Sequence, residues 1–318
     1  MEVIRGLEAC PRPESGTALT IGAYDGVHRG HRAVIKEVRR LAGERELKSA
    51  VVTFDPHPAR VVRPESAPLM LTNLDQKLEL LDETGIDFVL VVPFDDARSQ
   101  EPPRQFVEQV LVECMHARVV VVGDDFHFGH RRTGNVPYLT EAGGELGFDV
   151  TGMLLVGLDG EAARDHDQVS STAIRRALVA GDIDTATEML GRPFELRGTV
   201  VKGDERAKQM GFPTANVAIP TDMLLPADGV YAGWYERPDN SVHPTVMNLG
   251  RRPTFYEETS HSTLECHLLG FQGDLYDEAA RVRFTDRLRS EAKFDGIDEL
   301  KSQIAKDSET AKKALGVS

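Results

Sequence analysis

The first half of the chain alternates between two kinds of hydrophobic pattern. Short, nearly continuous runs of β-branched residues predict buried parallel strands at residues 17–22, 50–54, 88–92 and 119–123. Between the runs, apolar residues recur at helical spacing, most clearly in residues 32–41 and 75–83. This alternation predicts an α/β domain with a doubly wound parallel sheet.

The pattern changes in the second half. One helical stretch covers residues 172–190, and the turn-forming residues 191–194 then separate it from shorter runs. Five strand-like runs follow, at residues 199–201, 230–234, 245–249, 264–269 and 281–284, and they predict a small antiparallel barrel. A last helix is predicted at 297–315. We therefore expect two domains, residues 1–190 and 191–318.

Composition narrows the functional class. The chain has 318 residues, of which 41% are hydrophobic and 28% charged, as in ordinary soluble proteins. A net charge of -14 argues against a nucleic-acid partner, and no apolar run approaches the ~20 residues that span a membrane. The amino-terminal residues lack the apolar core of a signal peptide, so a cytoplasmic enzyme is expected.

Three widely separated cysteines, Cys10, Cys114 and Cys266, predict free thiols without a disulfide framework or a zinc site.

A candidate phosphate site lies at residues 22–31, where a strand passes through a glycine-bearing turn into a helix. Gly22 and Gly26 let the backbone approach a ligand, and Gly30 lets the helix begin close to it. The helix start offers unpaired N–H groups and a positive dipole end. His28 and His31 fall on one face of the first turn and could donate hydrogen bonds to an anion, although a histidine here could also be only a cap.

The string Gly-Ala-Tyr-Asp-Gly-Val-His-Arg-Gly-His at 22–31 resembles the nucleotidyltransferase superfamily. It is similar to the adenylyltransferase half of the bifunctional riboflavin kinase/FAD synthetase family, and residues 52–58, 122–129 and 169–175 follow in that family's order. The resemblance implies a Rossmann-like domain in which Asp25 belongs to the ATP cradle. It also implies that Asp125 contacts substrate and that Phe128 lies near the flavin, unless Phe128 is simply a core residue.

The same resemblance covers a second helix start. Ser171 and Thr172 open a helix and Arg175 follows, so that hydroxyls, amides and a guanidinium could all face a triphosphate. A simple N-cap is the alternative. Some relatives carry a basic residue where this chain has Gln168, which puts one phosphate contact in doubt.

A second candidate site begins at residues 197–216, where a strand, a polar loop and a Phe-Pro turn follow one another. Thr214 and Asn216 offer hydroxyl and amide oxygens that suit Mg²⁺, although an ordinary strand edge would look the same. The string Gly-Phe-Pro-Thr-Ala-Asn at 211–216 resembles the riboflavin kinase signature. The match implies nucleotide-binding roles for Gly203 and Gly211 and a general-base role for Glu265.

Three further positions of this half stay open. Arg289 could clamp a phosphate or lie against the flavin or nucleotide, or be only a surface charge. Ala207 and Asp277 stand where a glycine is usual, so two loops lose a permissive residue.

Together the two resemblances imply that the chain converts riboflavin and ATP to FMN and ADP, then FMN and ATP to FAD and pyrophosphate, with Mg²⁺ in both steps. One alternative is a nucleotidyltransferase with an impaired kinase domain. The other is a non-catalytic flavin-binding sensor. The sequence does not predict the oligomeric state.

Overall fold

The computed structural model describes residues 1–154, 157, 168–203, 212–250 and 261–317. The chain divides into two compact units, Met1–Ser171 and Thr172–Ser318. None of the helices in these described ranges combines the length and apolar character needed to cross a bilayer.

The first unit contains a six-stranded parallel sheet with the order β1-β4-β3-β2-β5-β8. Its strands are β1 Glu2–Arg5, β2 Thr17–Ile21, β3 Lys48–Asp55, β4 Phe88–Pro93, β5 Ala117–Gly123 and β8 Asp149–Met153, and a small hairpin adds β6 His127–Phe128 and β7 Gly134–Asn135. The four predicted strands form the centre of the sheet. The sequence missed the edge strands β1 and β8, whose residues are mostly exposed or half-buried and so form no apolar run.

Helices cover the sheet. They are α1 Arg29–Glu44, α2 Pro58–Val62, α3 Leu74–Asp82, α4 Asp96–Ser99, α5 Pro103–Phe106 and α6 Val136–Leu146, and a π-helical turn at Val107–Cys114 continues α5. Leu19, Val52 and Val120 point into one hydrophobic core. Their neighbours Ala18, Val51 and Val121 point into cores on the other side of the sheet. Burial on both faces explains why these strands are continuous apolar runs.

The second unit is a closed antiparallel barrel with the order β10-β13-β12-β11-β14-β9. The strands are β9 Phe194–Val201, β10 Ala215–Pro220, β11 Gly229–Glu236, β12 Val242–Leu249, β13 His261–Leu268 and β14 Ala279–Arg289. Helix α9, Ile297–Leu315, packs against the barrel through Ala311 and matches the predicted bounds. The parallel sheet, the barrel and the terminal helix confirm the predicted fold class.

One predicted helix is two. The stretch 172–190 forms α7 Ser171–Ala180 and α8 Ile183–Leu190. Gly181 has a φ of 79°, and the side chain of Asp182 accepts a hydrogen bond from the N–H of Thr185 at 3.0 Å. A left-handed glycine ends the first helix and an aspartate cap begins the second.

The expectation that all three cysteines are free was wrong. Cys10 and Cys114 form a disulfide, with Cα atoms 4.9 Å apart despite a separation of 104 residues. The fold brings the segment after β1 beside the end of the helix that precedes β5, which sequence spacing cannot show. Cys266 is a buried free thiol.

Two candidate active sites

The predicted histidine pair lies at the start of α1. His28 is the N-cap, and its Nδ1 accepts a hydrogen bond from the N–H of His31 at 3.3 Å. The two imidazole rings stack with centroids 3.6 Å apart and an interplanar angle of 19°. His28 is buried, whereas His31 is half-buried. The structure therefore brings both side chains together on the first turn of a helix, where anions bind.

The loop between β2 and α1 is tightly packed. Gly26 has a φ of 84°, a left-handed conformation that glycine adopts without strain. A Cβ atom on Gly30 would lie 3.1 Å from the carbonyl oxygen of Val169 and 3.2 Å from the His28 ring. On Gly22 it would lie 3.1 Å from the Tyr24 ring. The lack of space for a side chain is therefore clearest at Gly30.

Asp25 fastens this loop to the segment before α3. Its carboxylate, only 2% exposed, accepts hydrogen bonds from the N–H groups of Leu71 and Thr72 at 3.0 and 3.1 Å and from the Thr72 hydroxyl at 3.3 Å. The N–H of Gly26 donates to that same hydroxyl at 3.1 Å. The hydroxyl of Ser171 donates to the backbone carbonyl of Asp25 at 2.8 Å. Two signature segments, 22–31 and 169–175, are thus joined by a direct hydrogen bond.

The remaining predicted residues of the first unit lie in different environments. Asp125 is exposed, and its carbonyl oxygen lies 2.7 Å from Nδ1 of His127. Phe128 is 8% exposed and packs against aromatic rings of the core, with centroids 5.7 Å from Phe106 and 5.4 Å from Phe126. Core packing, the alternative reading of Phe128, therefore describes its present contacts.

Helix α7 carries the other two predicted phosphate ligands. Thr172 is exposed in its first turn and Arg175 is half-buried one turn further on. Gln168, the position that differs from some relatives, lies three residues before the helix and is half-buried.

Sequence reasoning missed Lys77, which lies in α3 and is 4% exposed. Its Nζ lies 3.3 Å from the carbonyl oxygen of Phe54, in the signature segment 52–58. The spacing of Leu74, Lys77 and Leu81 places the lysine on the buried face of the helix, and this was the signal that could have identified it.

The second unit has a cleft of about 520 Å³ in its barrel. Gly203, Thr214 and Asn216 line one part of it, and residues 271–276 line another. The hydroxyl and amide oxygens of Thr214 and Asn216 suit Mg²⁺, which keeps several water or phosphate ligands. A Cβ atom on Gly203 would lie 2.2 Å from Nδ2 of Asn216, so the backbone there approaches the amide as closely as only glycine allows.

Glu265 lies beside this cleft. It is the register partner of Asn216 on β10 and of Asn248 on β12. Its neighbours Leu264 and Cys266 are buried in the barrel, and Glu265 is half-buried on the opposite face of the strand. Residues opposite each other in adjacent strands have Cβ atoms about 5 Å apart. Glu265 and Asn216 therefore belong to the same row of side chains.

His267 holds the turn that precedes β10, and the sequence analysis did not single it out. Its Nδ1 donates a hydrogen bond to the carbonyl of Pro213 at 2.8 Å. Its ring meets Phe212 edge to face, with centroids 5.6 Å apart. His267 lies two residues from Glu265, so both side chains are on the same face of β13. On that face, His267 contacts the turn before β10 and Glu265 lies beside Asn216.

Ala207 and Asp277 stand where a glycine is usual, and the structure describes only Asp277. Asp277 has a φ of 63°, and its N–H donates to the carbonyl of Val200 at 3.0 Å. An aspartate tolerates this left-handed conformation better than most residues do. Ala207 and the predicted nucleotide-binding Gly211 lie outside the described residues.

Arg289 makes a two-pronged ion pair within the second unit. Its Nη2 and Nε donate to the Asp307 carboxylate at 2.8 and 3.0 Å, and the amide of Gln303 donates to the same carboxylate at 2.8 Å. The guanidinium also lies 5.8 Å from the centroid of the Phe294 ring. Arg289 is thus tied to α9 rather than being a solvated surface charge.

Both halves of the chain match known families. Residues 10–173 match the family model described as FAD synthetase, and residues 190–315 match the one described as riboflavin kinase. The chain is 39% identical to the bifunctional riboflavin kinase/FMN adenylyltransferase of Escherichia coli (strain K12), over 100% of this chain and 99% of the relative. It is also 39% identical to the protein of the same name from Pseudomonas fluorescens, over 96% of each chain.

The fold is shared with a solved structure. A crystal structure described as a macrolide-efflux protein from Streptococcus pneumoniae superposes with a TM-score of 0.84 at 25% sequence identity. The similarity covers 98% of this chain and 99% of that one. The same two-part architecture therefore extends over both proteins.

Proposed function

The chain belongs to the bifunctional riboflavin kinase/FMN adenylyltransferase family, and on that premise we propose which of its residues carry out each reaction. The enzyme phosphorylates riboflavin to FMN with ATP, and it adenylylates FMN to FAD with release of pyrophosphate. The observation that carries the proposal is that the His28–His31 pair lies within the FAD synthetase match, and the cleft lined by Thr214 and Asn216 lies within the riboflavin kinase match.

In adenylyl transfer, a phosphate oxygen of FMN attacks the α-phosphorus of ATP. The bond from that phosphorus to the bridging oxygen breaks, and pyrophosphate leaves with the electron pair. Positioning and charge stabilisation dominate such reactions, so no protein nucleophile is needed. His28 and His31 donate hydrogen bonds to the triphosphate and stabilise the charge that develops on pyrophosphate. These roles are supported by the stacking of the two rings at the start of α1, where His28 is buried and His31 is half-buried.

The start of α7 supplies the second set of donors in this proposal. Ser171, Thr172 and Arg175 face the triphosphate with hydroxyls, backbone amides and a guanidinium. The Ser171 hydrogen bond to Asp25 supports the assignment, because it fixes the start of the helix to the cradle loop.

The glycines and Asp25 shape the cradle. Gly22, Gly26 and Gly30 allow the backbone to approach ATP, whereas Asp25 acts by holding the loop to residues 71 and 72. Asp125 remains our candidate for a polar contact to substrate, and Phe128 remains our candidate for a contact to the flavin. Since Phe128 is now packed in the core, a flavin contact would use the edge that remains exposed.

In riboflavin phosphorylation, Glu265 is the proposed general base. It takes the proton of the terminal ribityl hydroxyl as that oxygen attacks the γ-phosphorus of ATP, and ADP leaves. Gly203 and Gly211 make room for the nucleotide. Arg289 remains our candidate for a contact to a phosphate, the flavin or the nucleotide, and its ion pair with Asp307 fixes its position at the end of β14.

The chain's own residues fit a magnesium ion in this cleft. Thr214 and Asn216 would hold Mg²⁺ through their side-chain oxygens, both of which line the cleft. The ion supplies positive charge that offsets the transferred phosphates. Within the described residues no group of three or more His, Cys, Asp or Glu side chains could hold a metal, so the site we propose depends on substrate phosphates for its other ligands.

Two further points are proposals. We place the functional boundary at residues 190 and 191, supported by the start of the riboflavin kinase match at residue 190. We also propose a cytoplasmic location. The Cys10–Cys114 disulfide is unusual for such a compartment, and counting thiols tests it directly.

The test is to incubate the purified protein with riboflavin, ATP and Mg²⁺ and to separate the flavins. FMN and FAD together support the two-step assignment, and added EDTA should abolish both products. FAD formed only from added FMN would indicate the alternative with an impaired kinase half. Flavin binding without either product would indicate a sensor.

A further inference from the structure

The amino group of Lys77 is buried beside the adenylyl-transfer loops. The side chain is 4% exposed, and its Nζ donates to the carbonyl of Phe54 at 3.3 Å and to the hydroxyl of Thr53 at 3.5 Å. Lysine is almost never fully buried unless it is paired, because removing an ammonium group from water is costly. A buried ammonium group at this position therefore requires interactions that compensate for its lost hydration.

Thr53 connects the lysine to the cradle loop. The Thr53 hydroxyl donates to the carbonyl of Ala23 at 3.2 Å. Because an ammonium group can only donate and a carbonyl can only accept, the hydroxyl accepts from Lys77 and donates to Ala23. Lys77 therefore fixes the carbonyl of Phe54 in β3 directly. Through Thr53 it also fixes the carbonyl of Ala23, in the loop after β2.

Lys77 also balances a buried negative charge. The Asp25 carboxylate is 2% exposed and is held by neutral donors of residues 71 and 72. Burial lowers the pKa of Lys77, and the carboxylates of Asp25 and Asp55 act in the opposite direction. Removing the ammonium group would take away a positive charge that interacts favourably with the Asp25 carboxylate, next to a loop that has to bind a triphosphate.

We propose that Lys77 is a positioning residue of the adenylyl-transfer site, whose ammonium offsets the Asp25 carboxylate and fixes the Ala23 and Phe54 carbonyls so that the two loops can hold ATP. It touches neither substrate and acts through Asp25 and Thr53. This inference rests on the proposed function, because it takes the loop at 22–28 to be the ATP cradle.

The experiment compares Lys77→Met with Lys48→Met in steady-state formation of FAD from FMN and ATP. Lys48 is the control because it is 53% exposed at the start of β3, the strand whose other end carries Thr53 and Phe54. We expect Lys77→Met to lower kcat/KM for ATP roughly 10- to 100-fold, the loss typical when a catalytic arrangement is misplaced. The KM for ATP should carry most of that loss. Lys48→Met should match the wild type, and both variants should form FMN from riboflavin at the wild-type rate.

A double-mutant cycle separates charge compensation from simple packing. Asp25→Asn removes the buried negative charge, so the variant carrying both Asp25→Asn and Lys77→Met should lose less than the product of the two single losses. Losses that multiply fully would mean that Lys77 does not offset the Asp25 charge, and would overturn the proposal. So would a Lys77→Met enzyme equal to the Lys48→Met control.

A further variant covers the case in which Lys77→Met does not fold. If Lys77→Met does not fold, as judged by loss of FMN formation and of a cooperative melt, Thr53→Val replaces it. That variant removes only the connecting hydroxyl and should also slow FAD formation while leaving FMN formation intact; unchanged FAD formation would overturn the proposal. A wild-type protein that makes no FAD would refute the proposed function instead.

Discussion

His28 caps helix α1 with the same side chain that stacks on His31. The imidazole Nδ1 accepts a hydrogen bond from the N–H of His31, so the ring proton of neutral His28 lies on Nε2. Since the N–H of His31 can only donate, this hydrogen bond fixes the tautomer of neutral His28. A structural cap and a candidate phosphate ligand are therefore one residue.

Substituting asparagine for His28 should separate these two roles. Asparagine is a good N-cap, so His28→Asn should keep the thermal midpoint while FAD formation falls, because the ring that donates to ATP is lost. His28→Ala should lose FAD formation and also about 1 kcal/mol of unfolding free energy. Full FAD synthesis by the asparagine variant would show that His28 is only a cap.

Gly30 and Gly43 offer a matched pair in the same helix. Gly30→Ala places a methyl group 3.1 Å from the Val169 carbonyl and 3.2 Å from the His28 ring, so it should slow FAD formation. Nothing lies within 4 Å of the corresponding methyl in Gly43→Ala. That variant should keep its activity and gain about 0.5–1 kcal/mol of unfolding free energy, measured by urea denaturation. Equal activity of the two variants would contradict the tight cradle.

In the parallel sheet, the strands that the sequence predicted are those buried on both faces. Strands β2 to β5 are covered on both faces, so each is a continuous apolar run. Strand β10 was not among the five predicted strands, although Ala215, Val217 and Ile219 alternate with Asn216 and Ala218 as a half-buried strand requires.

The candidate sites were predicted only in part, for physical reasons. Local spacing was enough to pair His28 with His31, since one helical turn sets that distance. The framework role of Asp25 and the hydrogen bonds of Lys77 to Thr53 and Phe54 depend on contacts with residues more than twenty positions away, which no local pattern contains. The Cys10–Cys114 pair depends in the same way on chain topology.

The left-handed backbone at Asp277 predicts how that position responds to substitution. Asp277→Gly should leave the rate of FMN formation within about twofold of wild type, because aspartate already adopts the conformation that glycine would. Asp277→Val should lose about 1–2 kcal/mol of unfolding free energy, since a β-branched residue is strained at positive φ. A large gain in kinase rate for the glycine variant would show that Asp277 impairs the loop.

Thiol counting tests the disulfide. Protein purified without reductant, denatured and alkylated should gain one adduct by mass spectrometry, at Cys266, and three after reduction. Cys266→Ser should gain none and then two. Three adducts before reduction would mean that Cys10 and Cys114 are free in the isolated protein.

The central claim is that one chain carries two independent active sites, and a complementation assay tests it most directly. The double variant His28→Ala, His31→Ala should form FMN from riboflavin but no FAD. Glu265→Ala should form FAD from added FMN but nothing from riboflavin. Mixed in equal amounts with riboflavin, ATP and Mg²⁺, the two variants should together produce FAD, because FMN made by one is a substrate of the other. Loss of both products in either variant, or a mixture that yields no FAD, would contradict the account.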